Sequence, residues 1–415
     1  MVNYVFLSVY FYSVPNLRFS QFIEPWNNYI VSELLTTFPT NSLSWDQLVE
    51  NQDSSLKNLH YGLIHNGFET TCISGENQLF PYIKHSFIPT KYALIQNGDL
   101  ILADASEDRK DVGRPVEMLD IGNQKIVSGL HTIHARNKTD LIVNGFKGFY
   151  FQSSAMKQQI FKIANGSKIY GISSSAFSEL KMFIPEKQEQ KKIVDLMIKI
   201  EERIQTQSKI IELKQSLIKD IEDRILWKTT NAQTKPIREF LTEINDKSII
   251  QNQYPLLSST KKGLFLQTDY FNKEAASSNN IGYKIVHKGD IIISPQNLWM
   301  GNITYNDKFD NGLVSPSYRI YKVKEEYNAF YISRIMMSYR ALSLYKNISE
   351  QGASIVRRNL NVDAFNELCF PIPNIKKQDE VGLFLSKLHQ ELKCETWILM
   401  QLKNQKNYLL NKMFI

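Results

Sequence analysis

Cysteine is almost missing from this 415-residue chain: it has three, Cys72, Cys369 and Cys394, none in a CxxC pair. An odd, scattered set excludes a disulfide framework and a zinc knuckle, and predicts buried thiols in a reducing, cytoplasmic compartment. No apolar run reaches the 18 residues that a membrane-spanning helix needs, so no membrane association is expected. The apolar opening Met1–Val14 lacks a basic n-region and a small-residue cleavage site. It reads as a buried strand or an over-long start rather than a secretory signal. No glycine-rich loop ending in Lys-Ser or Lys-Thr occurs, which excludes self-contained ATP hydrolysis by a phosphate-cradling loop. His131 and His134, three apart in a predicted strand, point to opposite faces and cannot share a metal ion. No metal site and no catalytic constellation is expected.

Proline and glycine are also absent from residues 188–226, and there the chain keeps a seven-residue beat. Rungs spaced alternately by four and three are Ile193, Met197, Ile200, Ile204, Gln207, Ile211, Lys214, Ile218, Ile221 and Ile225. The ladder recurs 188 residues later as Val381, Leu385, Leu388, Leu392, Glu395, Leu399, Leu402, Lys406, Leu409 and Met413. Eight of ten rungs are apolar each time, the pattern of helices packed along a seam. The lead-in repeats at the same offset: Phe177, Leu180, Ile184, Pro185 and Gln190 match Phe365, Leu368, Ile372, Pro373 and Gln378. The chain is therefore two copies of one unit, each ending in a long helix. From Gln188 to Leu226 the first helix is predicted to run 39 residues, roughly 58 Å. The polar rungs Gln207 and Glu395 sit at equivalent places and either fix register or are tolerated at the edge of the seam.

The parts between the ladders are mixed α/β. A Gly-Asp turn feeds a buried strand twice, with Ala93–Ile95 leading through Gly98-Asp99 into Leu100–Leu102 and Lys284–His287 through Gly289-Asp290 into Ile291–Ile293. Ser315-Pro316-Ser317-Tyr318 reads as a turn entering a strand. The domain reading is 1–180 and 231–370 for the two mixed parts, and 181–230 and 371–415 for the helices. Net charge is +7, yet residues 1–180 hold 14 basic against 16 acidic residues, so any anion-binding surface there must be a local patch. Connectivity then implies a pseudo-two-fold α+β dumbbell. The two helices pair antiparallel, and a related but divergent domain sits at each end, suited to two separated half-sites on a duplex.

These features resemble the specificity subunit of type I restriction-modification systems. The resemblance is carried by Val14-Pro15-Asn16-Leu17-Arg18-Phe19 followed by Trp26, by the Gly-Asp strand starts at 98–102 and 289–293, and by Phe-x-x-Leu before Ile-Pro with Gln190 and Gln378 beyond. The order and duplication of these motifs, more than any one of them, make the likeness, and it covers the chain from Val14 onward. It implies two target-recognition domains separated by spacer helices, in a non-catalytic subunit that confers DNA recognition. It further implies double-stranded DNA, two modification methyltransferase subunits and restriction/translocase subunits as partners. S-adenosylmethionine, ATP and magnesium would belong to those partners.

DNA reading needs phosphate contacts and a few side chains that reach base edges. In the second domain the candidates are Arg357, Arg358 and Asn359 beside Gly352, with Ser294, Gln296, Asn297 and Trp299 just after the Gly-Asp strand. In the first domain the corresponding stretches hold Lys168 and Tyr170, and Arg109, Lys110 and Arg114. There Glu107, Asp108 and Asp111 lie close enough in sequence to neutralise Arg109 and Lys110. Different residues in equivalent loops predict an asymmetric bipartite target. Glu201, Glu202, Glu222 and Asp223 lie off the ladder and are expected to face solvent or a partner. A rival reading is a coiled-coil adaptor with no DNA role, which predicts no salt-dependent DNA affinity.

Overall fold

The computed structural model describes residues 14–51, 53–261, 263–270, 279–351 and 358–415. The opening residues 1–13, Gly352 and Arg357 lie outside the described residues. The chain forms two compact units, one made of the chain up to Ser208 together with Trp397–Ile415, the other of Lys209–Thr396.

The first unit enters through β1 (Asn27–Ile30) and β2 (Leu35–Phe38). It continues with β3 (Cys72–Ser74), β4 (Leu100–Ala103), β5 (Ala105–Ser106), β6 (Pro115–Leu119), β7 (Thr132–Asn137), β8 (Tyr170–Gly171) and β9 (Lys181–Ile184). Its main sheet has the order β2-β7-β4-β6-β3, antiparallel except for β3 against β6. Every residue of β4 is buried because the sheet is covered on both faces. Leu100 and Leu102 join the core around Phe146, Phe149 and Tyr150, while Ile101 and Ala103 join the one around Leu59, Ile64 and Met118. Alternation therefore puts an apolar side chain on each face, and a continuous apolar run results.

The second unit repeats the frame with β10 (Gln233–Pro236), β11 (Leu241–Ile244), β12 (Ile291–Ile293), β13 (Ile303–Tyr305), β14 (Arg319–Val323), β15 (Ser349–Gln351), β16 (Arg358–Leu360) and β17 (Cys369–Ile372). Its sheet order, β11-β14-β12-β13, matches β2-β7-β4-β6 strand for strand. The Gly-Asp turns agree atom by atom. Gly98 and Gly289 adopt φ of 82° and 95°, which only glycine tolerates freely. Asp99 and Asp290 each accept the backbone N–H three residues earlier at 2.7 Å, from Gln96 and His287. One paired stretch departs from expectation. Lys284–His287 forms a strand, whereas Ala93–Ile95 contributes only a bridge from Leu94 to Val127. Ile95 N–H still donates to the Ile126 carbonyl at 2.8 Å, and Lys57–Leu59 pairs in parallel with the opposite edge of Ile126–Ser128. Ser315 and Tyr318 close a turn before β14, with the Tyr318 N–H on the Ser315 carbonyl at 3.1 Å.

Each unit hands its chain to a helix in the same way. β1 pairs antiparallel with β9, and β10 with β17. The helices are α1 (Lys187–Trp227), 41 residues long, and α2 (Ile375–Lys412), 38 residues long. Gln190 and Gln378 explain why glutamine recurs after the Ile-Pro pairs. Gln190 donates to the Pro185 carbonyl at 2.8 Å and accepts from Val143 N–H at 2.8 Å. Gln378 does the same with Pro373 at 2.8 Å and Asn328 at 3.0 Å.

None of the twenty rungs is exposed. In the first unit Ile193, Met197, Ile200 and Ile204 share a core with Leu409, Met413, Phe414 and Trp26. In the second, Leu226, Val381 and Leu385 share one with Ile237 and Phe370. There Lys214 reaches Glu395 at 2.7 Å, while Glu222, farther along α1, reaches His389, farther back on α2. The helices are thus antiparallel within that unit.

Two off-ladder carboxylates correct the expectation of solvated residues. Glu201 is buried, accepts from the Thr71 backbone and hydroxyl, and pairs with Lys406 at 2.6 Å. Glu222 is buried between Arg334 and His389, at 2.6 and 2.8 Å. Asp223 is half-buried and pairs with Arg340, and Glu202 is exposed as expected. Burying a carboxylate is costly unless a cation and further donors satisfy it, and each buried site supplies them.

Candidate nucleic-acid interface

In each unit the rim lies where the central strand ends, at Ala103 of β4 and Ile293 of β12. In the first unit β5 follows and pairs with β8. The loop of Arg109, Lys110 and Arg114 is thereby brought to that of Lys168 and Tyr170. Arg109 does not pair with the neighbouring carboxylates. Its guanidinium stacks 4.2 Å from the Phe161 ring centre and 5.9 Å from that of Tyr170, and Nη2 donates to the Ala164 carbonyl at 3.2 Å. Arg114 donates to the His65 carbonyl at 2.6 Å. Both arginines hold loops together, whereas Lys110 and Lys168 are exposed.

Beside them stands a cluster that sequence reasoning did not single out. His60 caps the helix Tyr61–Asn66 by accepting from Gly62 N–H. Its ring lies 4.4 Å from Trp45 and 4.6 Å from Tyr61, and Tyr61 lies 5.3 Å from His131. Burial, reinforced by His131, pushes the His60 imidazole down to about 4, so it is neutral at physiological pH. His131 precedes β7 at φ 53° and faces Asp104 at 3.3 Å, and burial raises the Asp104 carboxyl. His134 is fully buried on Asp99 at 2.7 Å. His131 thus stands before the strand and not in it, so the expected alternation does not describe the pair, and each histidine takes a different aspartate. Only the exposed Trp45 and the left-handed His131 mark this patch, and neither property is visible in a residue list.

In the second unit Ser294, Gln296, Asn297 and Trp299 form a turn directly after β12. The β15–β16 hairpin meets it there. The Arg358 N–H donates to the Gln296 carbonyl at 3.2 Å, and the Arg358 guanidinium lies 4.7 Å from the Trp299 ring centre. Gln296 and Asn359 are exposed, while Ser294, Asn297, Trp299 and Arg358 are half-buried. Six of the seven candidates of this domain thus gather on one rim; Arg357 lies outside the described residues.

Residues 84–215 match the model of the type I restriction modification DNA specificity domain. Over that stretch the chain is similar to type I restriction-modification DNA specificity domains. Over nearly its whole length it also has the fold of specificity subunits. A crystal structure of a type I restriction-modification S subunit from M. genitalium superposes with a TM-score of 0.54 at 14% identity, over 97% of this chain and 99% of that one. A structure described for complex assembly and conformational transition of the type I system gives 0.54 at 12% identity, over 93% and 96%. No curated protein sequence matches. The mixed α/β architecture expected from sequence holds, and the resemblance to specificity subunits is shared by the matched stretch and by the solved structures.

Proposed function

We propose that this chain is the non-catalytic subunit that reads an asymmetric bipartite duplex, one half-site per domain, and directs two modification methyltransferase subunits and the restriction/translocase subunits to it. The observation that carries this is a rim built twice on the same strand frame with different side chains: Arg109, Tyr170, His60 and His131 in one unit, and Trp299, Arg358 and Asn297 in the other. A duplicated frame supports one mode of approach to DNA, and unlike side chains support unlike half-sites. Lys110, Lys168 and Tyr170 serve the first half-site, on loops that Arg109 and Arg114 hold in place; Ser294, Gln296, Asn297, Trp299, Arg357, Arg358 and Asn359 serve the second. S-adenosylmethionine, ATP and magnesium belong to the partner subunits, and the complex works in the cytoplasm, which the free thiols support.

Methylome sequencing of a host that expresses the chain with its cognate methyltransferase tests the proposal. Modified adenines in one split, non-palindromic motif are the expected result. Their absence, or a palindromic motif, would overturn it.

A further inference from the structure

We infer that Arg358, whose guanidinium lies over the Trp299 ring and whose backbone is bonded to the turn that carries Asn297, reads a guanine–cytosine pair in the second half-site, and that the corresponding stack in the first unit is an internal pin. The inference rests on the rim being a DNA interface.

The two stacks occupy equivalent places in the repeat with their roles exchanged. Arg358 corresponds to Tyr170 at the 188-residue offset, and Trp299 to Arg109 at an offset of 190. Cation and ring have changed segments, and the consequence differs. Arg109 has two rings near its guanidinium and donates through Nη2 to Ala164; its Nε has no partner, but no unpartnered side-chain acceptor accompanies it. Arg358 has one ring beneath it, and no described residue accepts from its side chain.

Three atoms at this spot are buried without a hydrogen-bond partner: Arg358 Nε, Trp299 Nε1 and Asn297 Oδ1. Such atoms are few in folded proteins, because each forfeits its hydration, so three in one place mark a surface that something else completes. Their chemistry separates base from phosphate. A phosphate presents acceptors only, which would leave the Asn297 oxygen unsatisfied. A guanine–cytosine pair presents guanine O6 and N7 as acceptors and the cytosine N4 amino group as a donor in the major groove. The guanidinium fork fits the first two, and Asn297 Oδ1 fits the third. The indole fixes the plane of the fork, which a base edge requires and a point charge does not.

The test selects the full-length chain against a library of randomised duplexes and measures the salt dependence of binding to the winning duplex. Arg358→Lys keeps the charge and loses the fork; Trp299→Leu removes the ring beneath it. Both variants are expected to lose about ten- to a hundred-fold selectivity at the same single guanine–cytosine position, with the other half-site and the salt slope unchanged. Arg109→Lys is expected to change no single position selectively. Unchanged motifs in both variants would overturn the inference. So would a uniform loss across all positions with a salt slope smaller by about one, the mark of a phosphate contact. A wild-type chain that enriches no motif would instead overturn the DNA-interface reading itself.

Discussion

Single residues decide how the shared frame is held in each unit, and Asp99 and Asp290 show it best. Both are buried in the same turn, and burial raises both carboxyls. At Asp99 the hydrogen bonds from Arg136 and His134 outweigh burial and hold the carboxyl below its ordinary range, whereas Asp290 lacks them and stays raised. Asp99→Asn therefore leaves Arg136 facing a neutral group and is expected to cost on the order of 3 kcal/mol in urea unfolding. Asp290→Asn keeps the acceptor for His287 and is expected to be close to neutral. A second prediction concerns His60, whose ordinary value of 6.5 is lowered to about 4. Between those values the unfolded chain binds a proton that the folded chain refuses. Stability contributed by neutral His60 is thus complete above about pH 6.5 and is lost as pH falls toward 4, by on the order of 3 kcal/mol. Asp104, raised by burial, works in the opposite sense at acid pH, so the comparison must be with His60→Asn, which retains a helix-capping side chain. A wild-type acid slope that survives in the variant would show that His60 is not its source.

At the scale of elements, the ladder was legible because a seven-residue beat records the one thing a seam demands, an apolar side chain at every rung. The glutamines after Ile-Pro were legible as a coincidence of position, and their hydrogen bonds supply its cause. The burial of Glu201 and Glu222 was not legible, because periodicity describes one helix surface and not what packs on it. Thr71, Arg334 and His389 come from distant segments, and only their arrival turns a polar position into an interior one. The histidine–aromatic patch was hidden for the same reason, since Trp45, His60 and His131 meet only when three loops converge. Two predictions belong here. Gln378→Leu strands the Asn328 N–H and the Pro373 carbonyl and is expected to destabilise the second unit by about 1–3 kcal/mol in urea unfolding. Four residues inserted after Gln207 lengthen α1 by about 6 Å and are expected to change the gap between half-sites or to abolish modification. Methylation of an unchanged motif would argue against the helices as a measure of that gap.

For the molecule as a whole, charge supports a local rather than a diffuse interaction with DNA, because the first part, residues 1–180, is slightly acidic and the +7 excess comes from the rest of the chain. Affinity for a cognate duplex is expected to fall linearly on a log–log plot against salt, with a slope set by the few phosphates contacted. A salt-independent association, or none, would favour the adaptor reading.

The way the first unit closes has a consequence for synthesis. Its core contains Leu409, Leu410, Met413 and Phe414 packed with Trp26 and Phe146, and the Tyr150 hydroxyl donates to the Ile415 carbonyl at 2.7 Å. These residues leave the ribosome only after the whole of Lys209–Thr396 has been made. Domains ordinarily fold in the order in which they are translated. Here the downstream unit is continuous in sequence and is complete first, while the upstream one waits, with an open apolar face, for the end of α2 to arrive.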